Sequence, residues 1–162
     1  MQLNEANAIA QFLRVPSAEV FRHVGVSEVE SDEPCILLAA AVNEDGQVEI
    51  LKEARSLPQR VIARSQVALK MHVGLDIVAA QIRASTGTLA MLDDAVILFR
   101  RTGIVEETAI GTLAICRSYD GEQILCRVEQ ARKTGEARVI LASGKISELI
   151  LHTATPVLAI IP

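Results

Sequence analysis

Short runs rich in Val, Ile and Leu recur from Cys35 to the end of the chain, and turn residues separate them. Runs of this length, bounded by Gly, Asp and Asn, are typical of β-strands. The pattern predicts strands in CILLAAAV, QVEIL, RVIAR, DIVAAQIRA, AVILFR, GTLAICRS, EQILCRVE, ARVILA and TPVLAII. Asp120-Gly121, between two of these runs, is the strongest hairpin signal. Many short strands at this spacing indicate an all-β barrel or sandwich.

The front of the chain follows a helical pattern. Apolar residues recur at helical spacing up to Pro16, and a second short helix is predicted to end at Gly25. We therefore expect a helical hairpin over residues 1–26. The acidic segment SEVESDEP, residues 27–34, is predicted to be a linker. The β domain is predicted to occupy residues 35–162.

The charge distribution bears on nucleic-acid partners. Residues 1–33 carry two basic and six acidic side chains, a net charge of −4, whereas residues 34–162 carry fourteen of each. Because phosphate binding depends on Lys and Arg, a neutral body is a poor binder of duplex DNA by itself. Arg100-Arg101 follows a strand-like run and could contact an anion, although a strand-end pair facing water is the favoured interpretation. Aromatic side chains, which stack on bases, make up only 2% of the chain.

The cysteines and histidines indicate no metal site. Cys35, Cys116 and Cys126 lie far apart in apolar runs, which predicts buried free thiols in a reducing compartment and hence a cytoplasmic protein. The histidines stand alone: His23, His72 and His152. We therefore expect neither a bound metal nor a cofactor. No apolar run approaches the ~20 residues that span a bilayer, so no membrane association is predicted.

Two acidic pairs are candidates for paired-carboxylate chemistry. Asp93-Asp94 precedes a strand-like run, and Glu106-Glu107 lies in a following loop. Adjacent acidic residues in such positions are more often solvated turns, and that is the prediction for both pairs.

A nucleophile could be proposed at Ser85 or Thr86, in the segment IRASTGTLA. A hydroxyl needs a base such as His or a desolvated Lys. The chain has four lysines, none of them inside a strand-like run that would bury it: Lys52, Lys70, Lys133 and Lys145. The favoured interpretation of the two hydroxyls is therefore structural.

The order of these segments resembles that of a known family. AAVNEDGQV at 40–48 corresponds to the stretch that opens the carboxy-terminal domain of LexA and phage CI-type repressors. ASTGTLAMLDDAVILF, at 84–99, aligns without gaps with that family's Gly-Asp-Ser-Met-x-Pro-x-x-x-x-Gly-Asp motif and the strand after it. GTLAICRSYDGEQILCRV, from Gly111, and the final TPVLAIIP also correspond. The resemblance covers residues 35–161 and implies a signal-peptidase-like β barrel-sandwich.

The front of the chain also resembles part of such a repressor. LNEANAIAQFLRVPSAEVFRHVGV is similar to the last helices of a helix-turn-helix domain, after the recognition helix. The resemblance implies that DNA is contacted only through a helix-turn-helix that this chain does not contain in full.

The catalytic positions of the family are altered. In that family a Ser, activated by a buried Lys, cuts the chain at an Ala-Gly-like bond. The Ser position falls on Thr86 with Ser85 adjacent, the Lys position on Cys126, and the cleavage dipeptide on Glu44-Asp45. A thiol is a much weaker base than an amine, so the resemblance implies the scaffold without self-cleavage and without catalytic residues.

Three functions follow as hypotheses. The first is a non-catalytic dimerisation and regulatory domain of a repressor-like transcription regulator, acting as a homodimer. The second is a self-cleaving Ser/Thr–Lys peptidase that uses Ser85 or Thr86 with a shifted lysine. The third is a stand-alone module that forms mixed dimers with an intact repressor. The apolar closing segment, residues 147–161, is expected either to form the dimer surface or to close the barrel, with His152 at its rim.

Overall fold

The structure, a computed structural model, describes residues 36–72, 74, 76–133 and 135–162. They belong to one compact unit, Cys35–Pro162. The predicted helical hairpin over 1–26, the predicted linker over 27–34 and Cys35 lie outside the described residues.

Strands dominate the described part of the chain, so the predicted mainly β class is confirmed. In chain order the elements are β1 (Leu37–Val42), β2 (Val48–Ser56), α1 (Gln59–Met71), β3 (Ile77–Ile82), β4 (Val96–Arg100), β5 (Leu113–Ser118), β6 (Gln123–Gln130), β7 (Ala137–Leu141), β8 (Ile146–Leu149), β9 (Leu151–Pro156) and β10 (Ala159–Ile161). Two short 3-10 helices, Thr88–Leu92 and Glu107–Ala109, lie in loops.

The strands form two five-stranded sheets. The first sheet has the order β10-β4-β3-β1-β2, and the second has the order β8-β7-β6-β5-β9. All pairings are antiparallel except that of β1 with β3, which is parallel. Neither sheet closes on itself, so the arrangement is an open pair of sheets.

The core lies between the two sheets and on their outer faces. Val42 and Ile97 of the first sheet share one buried cluster with Ile115 and Leu125 of the second. The helix α1 covers the other face of the first sheet through Val61, which is fully buried. Because the first sheet is covered on both faces, its strand β4 is a continuous apolar run and does not alternate.

The predicted strand over RVIAR is wrong, because this run belongs to α1. Apolar or small side chains at Val61, Ser65, Ala68 and Leu69 repeat at helical spacing, and the first two are buried. A run of five residues cannot distinguish a strand from a helical turn, whereas the longer segment can. The helix carries the chain from β2 to β3, and β3 then pairs parallel to β1.

The predicted hairpin and the predicted closing strand differ in outcome. The hairpin at Asp120-Gly121 is confirmed, since β5 pairs with β6 and Gly121 has a φ of +88°. The single strand predicted over TPVLAII is wrong, because β9 ends at Pro156 in the second sheet and β10 begins at Ala159 in the first. Val157 and Leu158 carry the chain from one sheet to the other. Within the described residues, no helix has the length and apolar character required to cross a membrane.

Candidate functional site

Ser85 and Thr86 lie in the loop after β3, and both are exposed. The Ser85 hydroxyl donates a hydrogen bond of 2.7 Å to Glu44 Oε1. The Ser85 backbone N–H donates to the same oxygen at 3.2 Å. The structure thus brings one predicted nucleophile position against the first residue of the predicted cleavage dipeptide, through the Glu44 side chain.

The turn that carries Glu44 is held in place from two sides. The Asn43 side-chain oxygen accepts hydrogen bonds from the backbone N–H groups of Asp45 and Gln47, at 3.1 and 2.9 Å. The Gly46 carbonyl accepts the Leu125 N–H of β6 at 2.7 Å. Gly46 has a φ of +82°, and a Cβ there would lie 2.9 Å from the Leu125 carbonyl oxygen. Only Gly fits this close approach of turn and strand.

The electrostatics of this pair do not favour activation of the hydroxyl. Hydrogen bonds from the Ser85 side chain, and then from Thr86, hold the pKa of Glu44 below its usual 4.5. A carboxylate with a lowered pKa is a weak general base. The four lysines are exposed, and none donates to either hydroxyl within the described ranges.

Cys126 lies on the opposite face of β6 from the inter-sheet core. Its neighbour Leu125 points into that core, and successive strand residues point to opposite faces. The Cys126 thiol lies 3.4 Å from the Cys116 sulfur in a separate buried cluster. The hydrogen bond to Cys126 and burial raise the pKa of the Cys116 thiol, so this thiol stays neutral. The predicted burial of free thiols is confirmed for these two cysteines.

Asp93 and Asp94 form the turn before β4, as predicted, and each has a structural partner. Asp93 accepts a hydrogen bond from the Ala84 N–H at 3.0 Å. Asp94 binds Arg60 of α1 at 2.5 Å and accepts a hydrogen bond from the Gln81 amide. Asp94 is also the one non-glycine residue with positive φ in the described chain, at +68°. The pair therefore joins α1, β3 and β4, and its two carboxylates have separate partners.

The prediction of a solvated turn at Glu106-Glu107 is wrong for Glu106. Its side chain is only 10% exposed and lies 2.8 Å from Arg100 Nε. Burial of the carboxylate is compensated by this ion pair. Glu107 is exposed, as expected.

Among the described residues, His72 and His152 belong to no cluster of possible metal ligands. No group of three His, Cys, Asp or Glu side chains suited to a metal ion occurs in the part of the chain that the structure describes. His152 is exposed, and its ring makes an edge-on contact with Tyr119 at a centroid distance of 5.3 Å.

Sequence reasoning missed a second group of residues, which line a cavity between the two sheets. Arg117 and Thr155 both contribute to its wall. The sequence carries no clear signal for this group, because Arg117 and Ser118 form the polar end of β5 after the apolar run LAIC, as is usual where a strand meets a turn. Comparison of the chain with protein-family models, with curated proteins and with solved structures gives no match.

Proposed function

We propose that this chain is a non-catalytic dimerisation and regulatory domain of a repressor-like transcription regulator, built on a LexA-like, signal-peptidase-like β framework. The absence of catalysis in this proposal is supported by where the structure places the residues that align with the family's catalytic Ser and Lys. Ser85 and Thr86 are exposed next to a carboxylate, whereas Cys126 is buried on the far face of β6.

The backbone at Asp94 supports the resemblance on which the proposal rests. In the ungapped alignment, the second Gly of the family motif falls ten residues after Ala84, on Asp94. Its φ of +68° is the left-handed conformation that favours Gly. Asp is one of the few other residues that tolerate it, so the turn can persist after the side chain has changed.

The edge strand β10 is the surface we propose for dimerisation. It pairs with β4 on one side only and consists of Ala159, Ile160 and Ile161, with no charged residue. The β2 edge, in contrast, carries Lys and Glu side chains of the kind that discourage pairing. This choice agrees with a dimer surface within residues 147–161.

An exposed apolar surface continues from β10 onto α1. Ile160 is 40% exposed, Val67 64% and Met71 76%. They border a groove of about 340 Å³ between the helix and the strand. Exposed apolar side chains beside an unpaired strand edge suit a second copy of the same chain, because two-fold symmetry places each patch against its equivalent.

Such a dimer would serve a regulator by bringing two DNA-reading domains to one two-fold site. The proposal includes no sequence-specific DNA binding by residues 34–162 alone, because their fourteen basic and fourteen acidic side chains leave no net positive charge for phosphate. The same β10 surface would also serve mixed dimers with an intact repressor, the third hypothesis.

Sedimentation velocity over a range of protein concentrations tests the dimer. The wild type is expected to dimerise and Ile160→Glu to stay monomeric, because the new charges would meet across the two-fold axis. Ile146→Glu is the matched control, an exposed Ile on the edge strand β8. A monomeric wild type, or equal dimerisation of Ile160→Glu, would refute the proposed surface.

One observation favours self-cleavage as a second candidate: Ser85 lies against Glu44, next to the predicted cleavage position. Incubation at alkaline pH followed by mass measurement tests it. Two fragments divided near residues 43–46, absent from Ser85→Ala and Thr86→Ala, would establish the peptidase. An intact chain would favour the non-catalytic domain.

A further inference from the structure

A cavity of about 310 Å³ lies between the two sheets. Its wall comes from β1 to β4 on one side and from β5, β6 and β9 on the other. Cavities of this size, between packed elements, commonly accommodate small molecules.

The floor of the cavity is apolar. Val78, Phe99 and Ile115 line it, and they are only 6%, 5% and 2% exposed because they belong to the inter-sheet core. An apolar group packed against these side chains would lose its contact with water on that side, which favours binding.

A β-bulge in β1 widens this apolar wall. The step from Leu38 to Ala40 on β1 spans two residues, whereas its partner on β3 spans one, Ala79 to Ala80. A regular strand would alternate, yet Ala39 and Ala40 both line the cavity. Two small side chains at this point leave space that larger ones would fill.

The opposite wall presents polar groups in two rows across the second sheet. Arg117 of β5 lies opposite Gln123 of β6 and Thr153 of β9. In the next row, Ile115 lies opposite Thr155. Residues opposite each other in a ladder share a face, and all five line the cavity.

Two of these polar groups have no partner within the described residues. The Thr155 hydroxyl is unpaired although the residue is only 3% exposed, and Arg117 Nε is buried and unpaired as well. Buried polar atoms are normally hydrogen-bonded, since leaving them unpaired is costly. Both atoms belong to residues in one cavity wall, where a ligand would satisfy them together.

The charge around the cavity is positive, because three arginines line it. Arg100 is paired with Glu106, and Arg101 lies 3.9 Å from Asp76. Arg117 has no ion pair among the described residues, and no Asp or Glu lines the cavity. The planar guanidinium of Arg117 is therefore available for a carboxylate, which it can bind through two parallel hydrogen bonds.

We propose that this cavity binds a small organic carboxylate with an apolar body. The carboxylate accepts hydrogen bonds from Arg117 and from the Thr155 hydroxyl, and the apolar body lies on Phe99 and Ile115. Neither a carboxylate alone nor an apolar body alone is expected to bind as tightly as the two together, because the polar wall and the apolar floor face the same space.

Titration of the full chain with 3-phenylpropanoate, followed by calorimetry or amide chemical shifts, tests the proposal. Saturable binding is expected, with affinity lowered about tenfold in Arg117→Gln. Arg132→Gln is the charge-matched control: Arg132 is exposed and does not line the cavity. No saturable binding, or equal loss in the two variants, would overturn the proposal.

Thr155→Val separates binding from folding. Because the hydroxyl has no hydrogen-bond partner in the part of the chain that the structure describes, its replacement by a methyl group of the same shape is expected to preserve or raise the melting temperature and to weaken the binding of 3-phenylpropanoate. Unchanged affinity in this variant would contradict the assigned role of Thr155.

Three further probes examine the two halves of the ligand. Acetate lacks the apolar body and 3-phenylpropanamide lacks the charge, so both are expected to bind more weakly than 3-phenylpropanoate. Inorganic phosphate binding as tightly as 3-phenylpropanoate would overturn the requirement for an apolar body.

Discussion

Glu44 and Ser85 meet although 41 residues separate them. Their contact depends on two loops that are fixed independently, one by Asn43 and the other by the turn before β4. The resemblance found in the sequence assigned both residues to positions that, in the similar family, lie near the cleavage chemistry. It could not anticipate that the carboxylate would accept a hydrogen bond from the hydroxyl, because that depends on how the loops face each other.

We predict that Ser85→Ala raises the pKa of Glu44 towards 4.5, since the Ser85 hydrogen bond is the main cause of its lowering. A lowered pKa means that the loop contact is strongest above pH 4.5 and is lost as the pH falls through the lowered value. Carboxyl carbon NMR titration measures the shift. Thr88→Ala, whose hydroxyl bonds Ala142 instead, is the control. The same Glu44 pKa in Ser85→Ala would show that the bond is absent in solution.

Gly46 and Gly121 both have positive φ but differ in their surroundings. A Cβ at Gly46 would meet the Leu125 carbonyl oxygen, whereas one at Gly121 would meet no atom within 4 Å. We predict that Gly121→Ala costs roughly 1–2 kcal/mol from the left-handed conformation. Gly46→Ala is expected to cost at least about 1 kcal/mol more, from the clash. Urea denaturation compares the two, and equal losses would argue against the close approach.

Arg117 and Thr155 show why cavity residues escape sequence analysis. Each looks like an ordinary strand residue, and the segments that carry them are 38 positions apart in the chain. Their shared face is set by the pairing of β5 with β9 and by its register. No local pattern encodes that register.

The helix α1 is the element that sequence reasoning misassigned. Its apolar stripe is narrow and interrupted by Ser65, so the short run RVIAR looked like another strand. Most strands were easier to predict because they are compact apolar runs with a turn after them, whereas β8, with the sequence ISEL, is not such a run and was not predicted. The apolar run TPVLAII spans the end of one strand and the start of the next, so its sequence did not show that the chain changes sheet within it.

The helix offers a matched pair of substitutions. Val61 is fully buried against the first sheet, whereas Val67 is 64% exposed on the same helix. Val61→Ala is expected to lower the free energy of unfolding by about 1–3 kcal/mol through the cavity it leaves. Val67→Ala is expected to have little effect in dilute protein. Similar losses in urea denaturation would mean that α1 does not pack as described.

The two sheets share one inter-sheet core, to which Ile97 contributes from the first and Ile115 from the second. The mainly β class of the fold could be predicted, because many short apolar runs separated by turn residues are typical of packed β-sheets. The sheet order, the parallel pairing of β1 with β3 and the cavity could not, because all three arise from contacts between distant segments.

A shared core predicts cooperative unfolding of the two sheets. The chain has one Tyr and no Trp, so its intrinsic fluorescence reports Tyr119, next to the β5–β6 turn. Far-ultraviolet circular dichroism reports the strands of both sheets. We expect the two signals to change at the same urea concentration. Earlier loss of the fluorescence signal would indicate that the second sheet unfolds first.

The bulge in β1 also bears on how this strand would tolerate a shortened chain. Deleting Ala39 would leave Leu38 facing the helix layer and Ala40 facing the cavity, because these two residues already pair with consecutive residues of β3. The rest of the strand would keep its faces, and only one small side chain would be lost from the cavity wall. A one-residue deletion is therefore expected to be better tolerated at Ala39 than at a regularly paired position of β1, where it would turn the residues before it to the other face.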